Sequence, residues 1–487
     1  MTSSTSRTSR TRHEVDVCVI GSGAAGSVVA HRMARAGRSV LLVERGPYVR
    51  PSQMSDAEIE MIPLLYKDGG LQMNTGMDMF ILQGTCVGGS TTLSNMVLMR
   101  APKDVLSTWE RLGANLDRDR LAASYDLVER EIGAAEAPAA NASGSTVKFL
   151  EGARSLGYSP QPMRKALGDC VGCGNCNIGC AFDTKRGALA TYVPWAEALG
   201  AQVLADTEVE RIETRGGRAV AVHVLQGRTR VPARIVAKQV VVAAGAINSS
   251  SLLLKSGLKK NVGTRVSFNG GSMMIAEFDE PVDGYDADQM TWYLPGNGFI
   301  IEPTHNPIMS AALTTPGWLE PHADLMRKQR HLAYAGALIS MGNTGRVVQS
   351  PFWGHEETRY SPTATDVGHV KQGLKLISEI FFAAGARRLI LPTHKFRAIH
   401  STRELSVIDE HVVSTKRFSF GSAHPQGGNP MSSDPRNGVV DEDFAVHGMD
   451  NLFVCDGSIF PSSVTVNPIS TIMALADYAA PRILARA

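Results

Sequence analysis

Residues 15–20, VDVCVI, form an apolar run with the composition of a buried strand, and the glycine-rich stretch GSGAAGS follows it at once. A helix-like run, SVVAHRMARAG, comes next, and then a second apolar strand in SVLLVERG. The order is strand, glycine-rich turn, helix, strand, with Gly21, Gly23 and Gly26 at the spacing G-x-G-x-x-G. Each glycine has a separate task. Gly21 permits the tight turn, Gly23 lets the backbone approach a pyrophosphate, and Gly26 lets helix and strand pack closely. Ala24 and Ala25 complete the turn and open the helix, whose N-terminus offers free N–H groups and the positive end of its dipole. Glu44 ends the second strand, 18 residues beyond Gly26, where a carboxylate can accept from a ribose hydroxyl pair. The pattern predicts a Rossmann-like dinucleotide domain. It does not choose between FAD and NAD.

The chain of 487 residues is too long for one small domain and predicts two, interleaved or in series. A net charge of +2 gives no reason to expect a nucleic-acid or membrane-surface partner. No stretch reaches the roughly 20 apolar residues that a membrane span needs. The first thirteen residues, MTSSTSRTSRTRH, are polar and basic without an apolar region behind them. They read as a disordered tail rather than a secretory signal, and cytoplasmic residence is the expectation.

Further along, residues 117–132 place Leu121, Leu127, Val128 and Ile132 on one helical face. Residues 201–247 read as several strands ending in QVVVAAGAI. Strand-like pieces broken by Gly and Pro at 266–360 predict an antiparallel sheet. A helix is expected over 365–385, starting at Thr365/Asp366, with Val370, Leu374, Ile377 and Phe381 as its core face and Gly385 as its stop. Residues 451–486 read as strand, loop and helix. The fold class is α/β, or α+β overall: a Rossmann-like domain with a substrate domain built on an antiparallel sheet.

Three further stretches carry a resemblance. Residues 83–104, QGTCVGGSTTLSNMVLMRAPKD, look like the first signature of the glucose–methanol–choline oxidoreductases, and 240–257, VVVAAGAINSSSLLLKSG, resemble the second. The C-terminal SAHPQGG and NLFVCDGSIFPSSVTVNPISTIMALA are similar to that family's last segment, cholesterol oxidases in particular. The match runs in order over most of the chain and is thin over about 266–420. It implies FAD, and an FAD-binding domain in pieces: 14–165, then, after a Cys-rich loop at 166–194, residues 195–265 and 420–487, with the substrate domain at 266–419. It also implies that Gly88, Gly89, Ser90 and Asn95 lie along the flavin ring and pyrophosphate, and that Val209 meets the adenine through its backbone. Asp456 and Gly457 would contact the ribitol or pyrophosphate. The helix beginning near Pro468–Ile469 would aim its N-terminus at the flavin pyrimidine, where reduced flavin carries negative charge. Some relatives attach the flavin to a His in the first signature; no His occurs between 80 and 100 here, so non-covalent FAD is expected.

His424, in SAHPQGG, and Asn467, in TVNPIS, match the family's catalytic pair. Alcohol oxidation removes a hydroxyl proton as hydride leaves carbon, which suits an imidazole base, while an amide can orient the oxygen. His447, in AVHGMD, reads as a loop residue. Relatives that isomerise steroids add a Glu from the substrate domain. Glu302, in FIIEPTHNP, is the candidate, although a charged strand-end residue is the preferred reading.

Cys170, Cys173, Cys176 and Cys180 read C-x2-C-x2-C-x3-C, the spacing of a bacterial-ferredoxin loop, with Gly172, Gly174 and Gly179 between them. Ala181 stands where Pro usually follows. One [4Fe–4S] cluster, or a [3Fe–4S] cluster on three of the four, is the expectation; zinc or disulfides are the rivals. Similar loops occur in long-chain alcohol oxidases, aminoglycoside-modifying dehydrogenases and cluster-bearing sugar dehydrogenases. A cluster would give the flavin a one-electron exit to a protein or small acceptor. The expected activity is therefore an FAD-dependent alcohol dehydrogenase. The alternative is an oxygen-using oxidase of sterol, long-chain, aminoglycoside or sugar alcohols with a merely structural Cys loop. A flavoprotein without redox turnover is a third class, excluded if an alcohol bleaches the flavin.

The substrate is expected to be bulky or apolar. Met273, Met274, Met290, Met309, Met326 and Met341 could line a flexible pocket or simply fill core. The acidic run Glu277, Asp279, Glu280, Asp283, Asp286 and Asp288 could attract an aminosugar, but reads better as a solvated loop.

Overall fold

In the computed structural model, residues 12–350 and 356–486 are described. The first strand, Arg12–Ile20, lies between two parallel partners, Val40–Val43 and Val231–Val242. Gln202–Leu204 extends the sheet on one side and Leu452–Val454 pairs in parallel with Val231–Val242 on the other. These central strands are runs of Val, Ile and Leu because helices cover the sheet: Val17, Val19, Leu41, Leu42, Val241 and Val242 are almost fully buried. Two antiparallel strands, Arg218–Gln226 and Thr207–Arg215, continue from the N-terminal half of Val231–Val242. The helix Ala24–Arg35 and the C-terminal helix Ile469–Ala485 pack on this sheet and on each other.

The second layer is a nine-stranded sheet centred on Thr264–Glu277 and Leu332–Ser340, paired antiparallel over nine residues. Phe299–Pro303 and Trp292–Pro295 follow on one side and Arg388–Ile390 on the other. The expected antiparallel sheet is present. Pairing crosses the expected domain borders, however. Gly421–Gly428, placed by sequence in the FAD-binding part, pairs antiparallel with Thr264–Glu277, and Phe80–Ile81 pairs with it in turn. Gln161–Pro162 adds to the opposite edge. The chain thus stitches the two sheets together several times.

The helix Ala364–Ala383 lies across this sheet with Val370, Leu374, Ile377 and Phe381 buried, as its pattern predicts. Its start is two residues earlier than expected. Thr363 Oγ1 accepts from the Asp366 N–H at 3.2 Å, and the Asp366 carboxylate accepts from the Thr363 N–H at 2.7 Å. This reciprocal capping box outranks a Thr365 start because it satisfies two orphan donors at once. The helix Arg118–Glu131 is capped by Asp117, with Leu121 and Val128 buried and Leu127 only partly so. No helix among the described residues is long and apolar enough to cross a membrane.

Candidate active site

The glycine turn is sterically closed at two of its three positions. Gly21 has φ +99°, and a Cβ there would lie 2.4 Å from the Ala243 carbonyl oxygen. A Cβ on Gly26 would lie 1.8 Å from the Gly21 oxygen, so helix and turn touch through that hydrogen. Gly23 is different: its Cβ direction is open, with Gly89 Cα at 3.9 Å. The open space belongs to a cavity of about 980 Å3 that runs between the two sheets.

Thirteen of the fifteen expected cofactor residues line this cavity: Gly21, Gly23, Ala24, Ala25, Glu44, Gly89, Ser90, Asn95, Val209, Asp456, Gly457, Pro468 and Ile469. Gly26 and Gly88 stand behind its wall. Gly88 donates its N–H to Ser22 Oγ at 3.0 Å, and Ser22 Oγ donates to Glu44 Oε2 at 2.7 Å. Glu44 also accepts from the Ser22 and Gly46 N–H groups, so it ties the two glycine-rich loops together while bordering the cavity. Burial pushes its carboxyl above the ordinary range. Asp456 is likewise committed to its own chain. Its carboxylate accepts from the Gly245 N–H at 2.9 Å, the Ser249 hydroxyl at 2.5 Å and the Ser458 N–H at 2.8 Å. Any contact it makes with a ligand therefore falls mainly to its backbone.

His424 and Asn467 line the same cavity. They arrive from different elements. His424 sits on Gly421–Gly428 opposite Asn269 of Thr264–Glu277, and Asn467 ends the loop before the C-terminal helix. Asn269 joins them: its Nδ2 donates to the Val466 carbonyl at 2.6 Å, and its Oδ1 accepts from Ser463 at 2.6 Å. Gln426 Oε1 accepts from the Val464 N–H at 2.9 Å. These bonds hold the loop where Thr465 adopts φ +63°, a backbone state that β-branched residues rarely occupy. Desolvation pulls the His424 imidazole down to about 4, so it is neutral at pH 7 and free to take a proton.

Glu302 corrects the preferred sequence reading. It is not a solvated strand end: every residue of Phe299–Pro303 is buried, and Glu302 is 3 % exposed. It lines the cavity, hydrogen-bonds with Asn467, and is pushed up to about 7, chiefly by burial. His305, three residues on, also lines the cavity, and burial lowers its imidazole to about 4. A carboxyl and an imidazole in the run FIIEPTH, otherwise apolar enough for core, were the available signal. Asn269 carried none, since its role depends wholly on pairing.

Some of the buried polar side-chain atoms without partners belong to residues that line this cavity: Asn95 Oδ1, Glu302 Oε1, His424 Nδ1, Asn467 Oδ1 and both His305 ring nitrogens. Orphaned atoms are costly in a finished core, and those bordering the cavity fit a site completed by a cofactor and a polar substrate group. Met273 and Met290 also line the cavity, whereas Met274 and Met341 are core. His447 contacts the Ser432 carbonyl outside it. The acidic run pairs largely within the chain: Glu277 with Arg388, Glu280 with Lys148, Asp283 with Arg330 and Asp288 with Lys165.

The four loop cysteines are free thiols, and all border one small pocket of about 20 Å3 together with Lys185 and Asp288. Lys185 is buried and donates to the Thr92 and Cys176 carbonyls, each at 2.6 Å. Burial pushes the Cys176 thiol up to about 11; at Cys180 burial acts the same way, but hydrogen bonds from Thr184 and the nearby Lys185 overcome it and lower the thiol. Among the described residues no group of three or more His, Cys, Asp or Glu side chains converges to hold a metal ion.

An FAD-dependent oxidoreductase acting on CH–OH groups is the class this fold and cavity define. The GMC oxidoreductase family models match residues 62–269 and 350–476, and an NAD(P)-binding Rossmann-like model matches 19–60. An uncharacterised GMC-type oxidoreductase of Sinorhizobium fredii is 30 % identical over 473 residues, covering 95 % of this chain and 93 % of its own. A long-chain-alcohol oxidase of Arabidopsis thaliana is 26 % identical, covering 96 % and 67 %. The solved pyridoxine 4-oxidase from Mesorbium loti superposes with a TM-score of 0.74 at 20 % identity, over 96 % of this chain and 99 % of that one. The chain belongs to the GMC oxidoreductase family.

Proposed function

We propose that the protein oxidises a bulky or apolar primary or secondary alcohol to the carbonyl, with molecular oxygen as the electron acceptor. The observation that carries the alcohol chemistry is that a neutral His424, Asn467 and Glu302 line the same cavity as the glycine turn. The thirteen lining residues would hold FAD, which when bound would supply the two-electron oxidising capacity as hydride acceptor. His424 takes the hydroxyl proton. Asn467 orients the oxygen. The apolar walls exclude water from the reacting carbon. The long-chain-alcohol oxidase relative supports both the oxidase reading and an apolar substrate.

Glu302 acts as a positioning residue through Asn467. Its carboxyl, raised to about 7, is neutral below that pH and ionised above it. The ionised form accepts one Asn467 Nδ2 hydrogen and fixes the amide, whose second Nδ2 hydrogen donates to the alcohol oxygen while the hydroxyl proton is left to His424. His424 is already neutral across this range. Flavin reduction by alcohol should therefore rise as pH increases through about 7. Stopped-flow bleaching between about pH 5 and 9 should show that limb in the wild type and lose it in Glu302→Gln, with a roughly tenfold lower rate on the alkaline side. A limb unchanged in Glu302→Gln would remove Glu302 from the mechanism.

One observation favours a second reading, a dehydrogenase with an iron–sulfur relay. All four loop cysteines share a single pocket beside buried Lys185, a cation suited to thiolates or an anionic cluster. One experiment separates the readings: an anaerobic visible spectrum with a panel of alcohols, iron and sulfide assays on the same sample, then peroxide yield in air. Flavin bands bleached by a long-chain alcohol, without iron and with stoichiometric peroxide, are expected. Iron and sulfide with little peroxide would transfer the electrons to the relay.

A further inference from the structure

Every large apolar side chain more than 60 % exposed among the described residues falls on two short segments. Ile59, Leu71 and Met77 belong to 58–77; Ile308, Leu313, Trp318 and Leu319 belong to 308–319; their exposures run from 61 to 89 %. Single exposed hydrophobics are ordinary, but seven on two segments are not. The segments are bolted together. The Glu58 carboxylate accepts from the Met309 N–H at 2.6 Å, the Ser310 N–H at 2.9 Å and the Ser310 hydroxyl at 2.7 Å. Both segments also form the cavity wall, through Leu71, Met73, Met77, Leu313 and Pro316. Leu71, Met77 and Leu313 therefore face the cavity and the outside at once. Met77 and Leu319 have φ +53° and +55°, a left-handed state that bulky residues avoid, and both are held outward.

We propose that this collar is a docking surface for a zwitterionic lipid layer, through which an apolar alcohol passes directly into the cavity. The proposal rests on the reading of the cavity as the site of a bulky or apolar alcohol. Three features select a lipid surface as the occupant. The collar is continuous with the cavity wall, so a folded protein seated on it would close the mouth, whereas a lipid layer supplies the substrate. Trp318 has the amphipathic ring favoured at the boundary between acyl chains and water. The flanks carry both signs, with exposed Lys395 beside Phe396, which packs near Gly317, and exposed Glu60 and Asp68 on the other segment. That mixture complements a choline phosphate headgroup better than a net anionic surface.

The test is flotation of the full-length holoprotein with phosphatidylcholine vesicles at physiological salt. Ile59, Trp318 and Leu319 do not line the cavity, so Ile59→Ser/Trp318→Ser/Leu319→Ser alters the rim alone. Wild type should float, and the triple variant should partition roughly tenfold or more weakly. Quenching by brominated phosphatidylcholine should occur in wild type and largely vanish in Trp318→Phe, which keeps an apolar rim. The idea is overturned if wild type stays with the soluble fraction, if the triple variant floats equally, or if the collar instead holds a dimer that the triple variant dissociates. Flotation needs no turnover. Lipid binding without alcohol oxidation would sink the functional reading alone, and alcohol oxidation without flotation would sink this one.

Discussion

His424→Ala should slow flavin reduction by alcohol roughly 10^2- to 10^4-fold, the usual worth of a positioned base, while the purified protein stays yellow. The imidazole borders the cavity, and its strand position is fixed by pairing with Asn269 rather than by its ring. Removing the ring therefore leaves strand and cofactor cradle in place. Desolvation holds the imidazole neutral down to about pH 4, so the wild-type protein has a proton acceptor at every pH where it would be assayed. Asn467→Ala should produce a smaller loss, because the amide orients the oxygen without taking its proton. Rapid mixing of each variant with alcohol under anaerobic conditions gives the comparison. A His424→Ala protein reduced at the wild-type rate would mean that another group takes the proton, and Glu302 would be the next to replace.

Two alanine substitutions only three residues apart should behave differently. In Gly26→Ala the new Cβ falls 1.8 Å from the Gly21 oxygen, so the helix must back away from the turn. Overpacking of this kind costs roughly 1–3 kcal/mol, and it moves the N–H groups that receive the pyrophosphate. Both thermal stability and FAD content should fall. In Gly23→Ala the nearest atom is 3.9 Å away and the backbone is extended (φ −70°, ψ −160°), so the apoprotein should keep its stability. Its methyl group projects into the cavity and should weaken FAD by roughly tenfold or more through steric exclusion. Melting temperature with and without added FAD, together with the flavin-to-protein absorbance ratio, checks both. Equal loss of apoprotein stability in the two variants would contradict the assignment of packing to Gly26 and ligand approach to Gly23.

The cofactor end was legible because its signals are local. A strand of VDVCVI, three glycines at fixed spacing and an acid after the next strand act within one βαβ unit, so their geometry is set by a few dozen neighbouring residues. The helix Ala364–Ala383 was legible for the same reason, and its start shifted only because Thr363 and Asp366 can cap each other. The burial of Glu302 was not legible, although the residue was a candidate. A carboxyl near a Pro reads as the wet end of a strand, and only the burial of all of Phe299–Pro303 reverses that. The pairing of Gly421–Gly428 was not legible either, since it is made through backbone hydrogen bonds to a strand some 150 residues away, and backbone pairing carries no residue code.

By itself the sequence determined the Rossmann-like turn, the family resemblance and the grouping of four cysteines, because each is a pattern of nearby residues; the resemblance then singled out His424 and Asn467 as the expected pair. The tertiary structure alone decided that Glu302 faces Asn467, that Asn269 braces the loop before Asn467, that Gly26 and Gly88 stand behind the cavity wall, and that segments 58–77 and 308–319 are joined through Glu58 and both border the cavity. Those facts depend on which distant segments pack together and how deeply they are buried. Burial sets whether a side chain is a solvated charge, a buried acid or a rim contact, and it is a property of the whole folded chain.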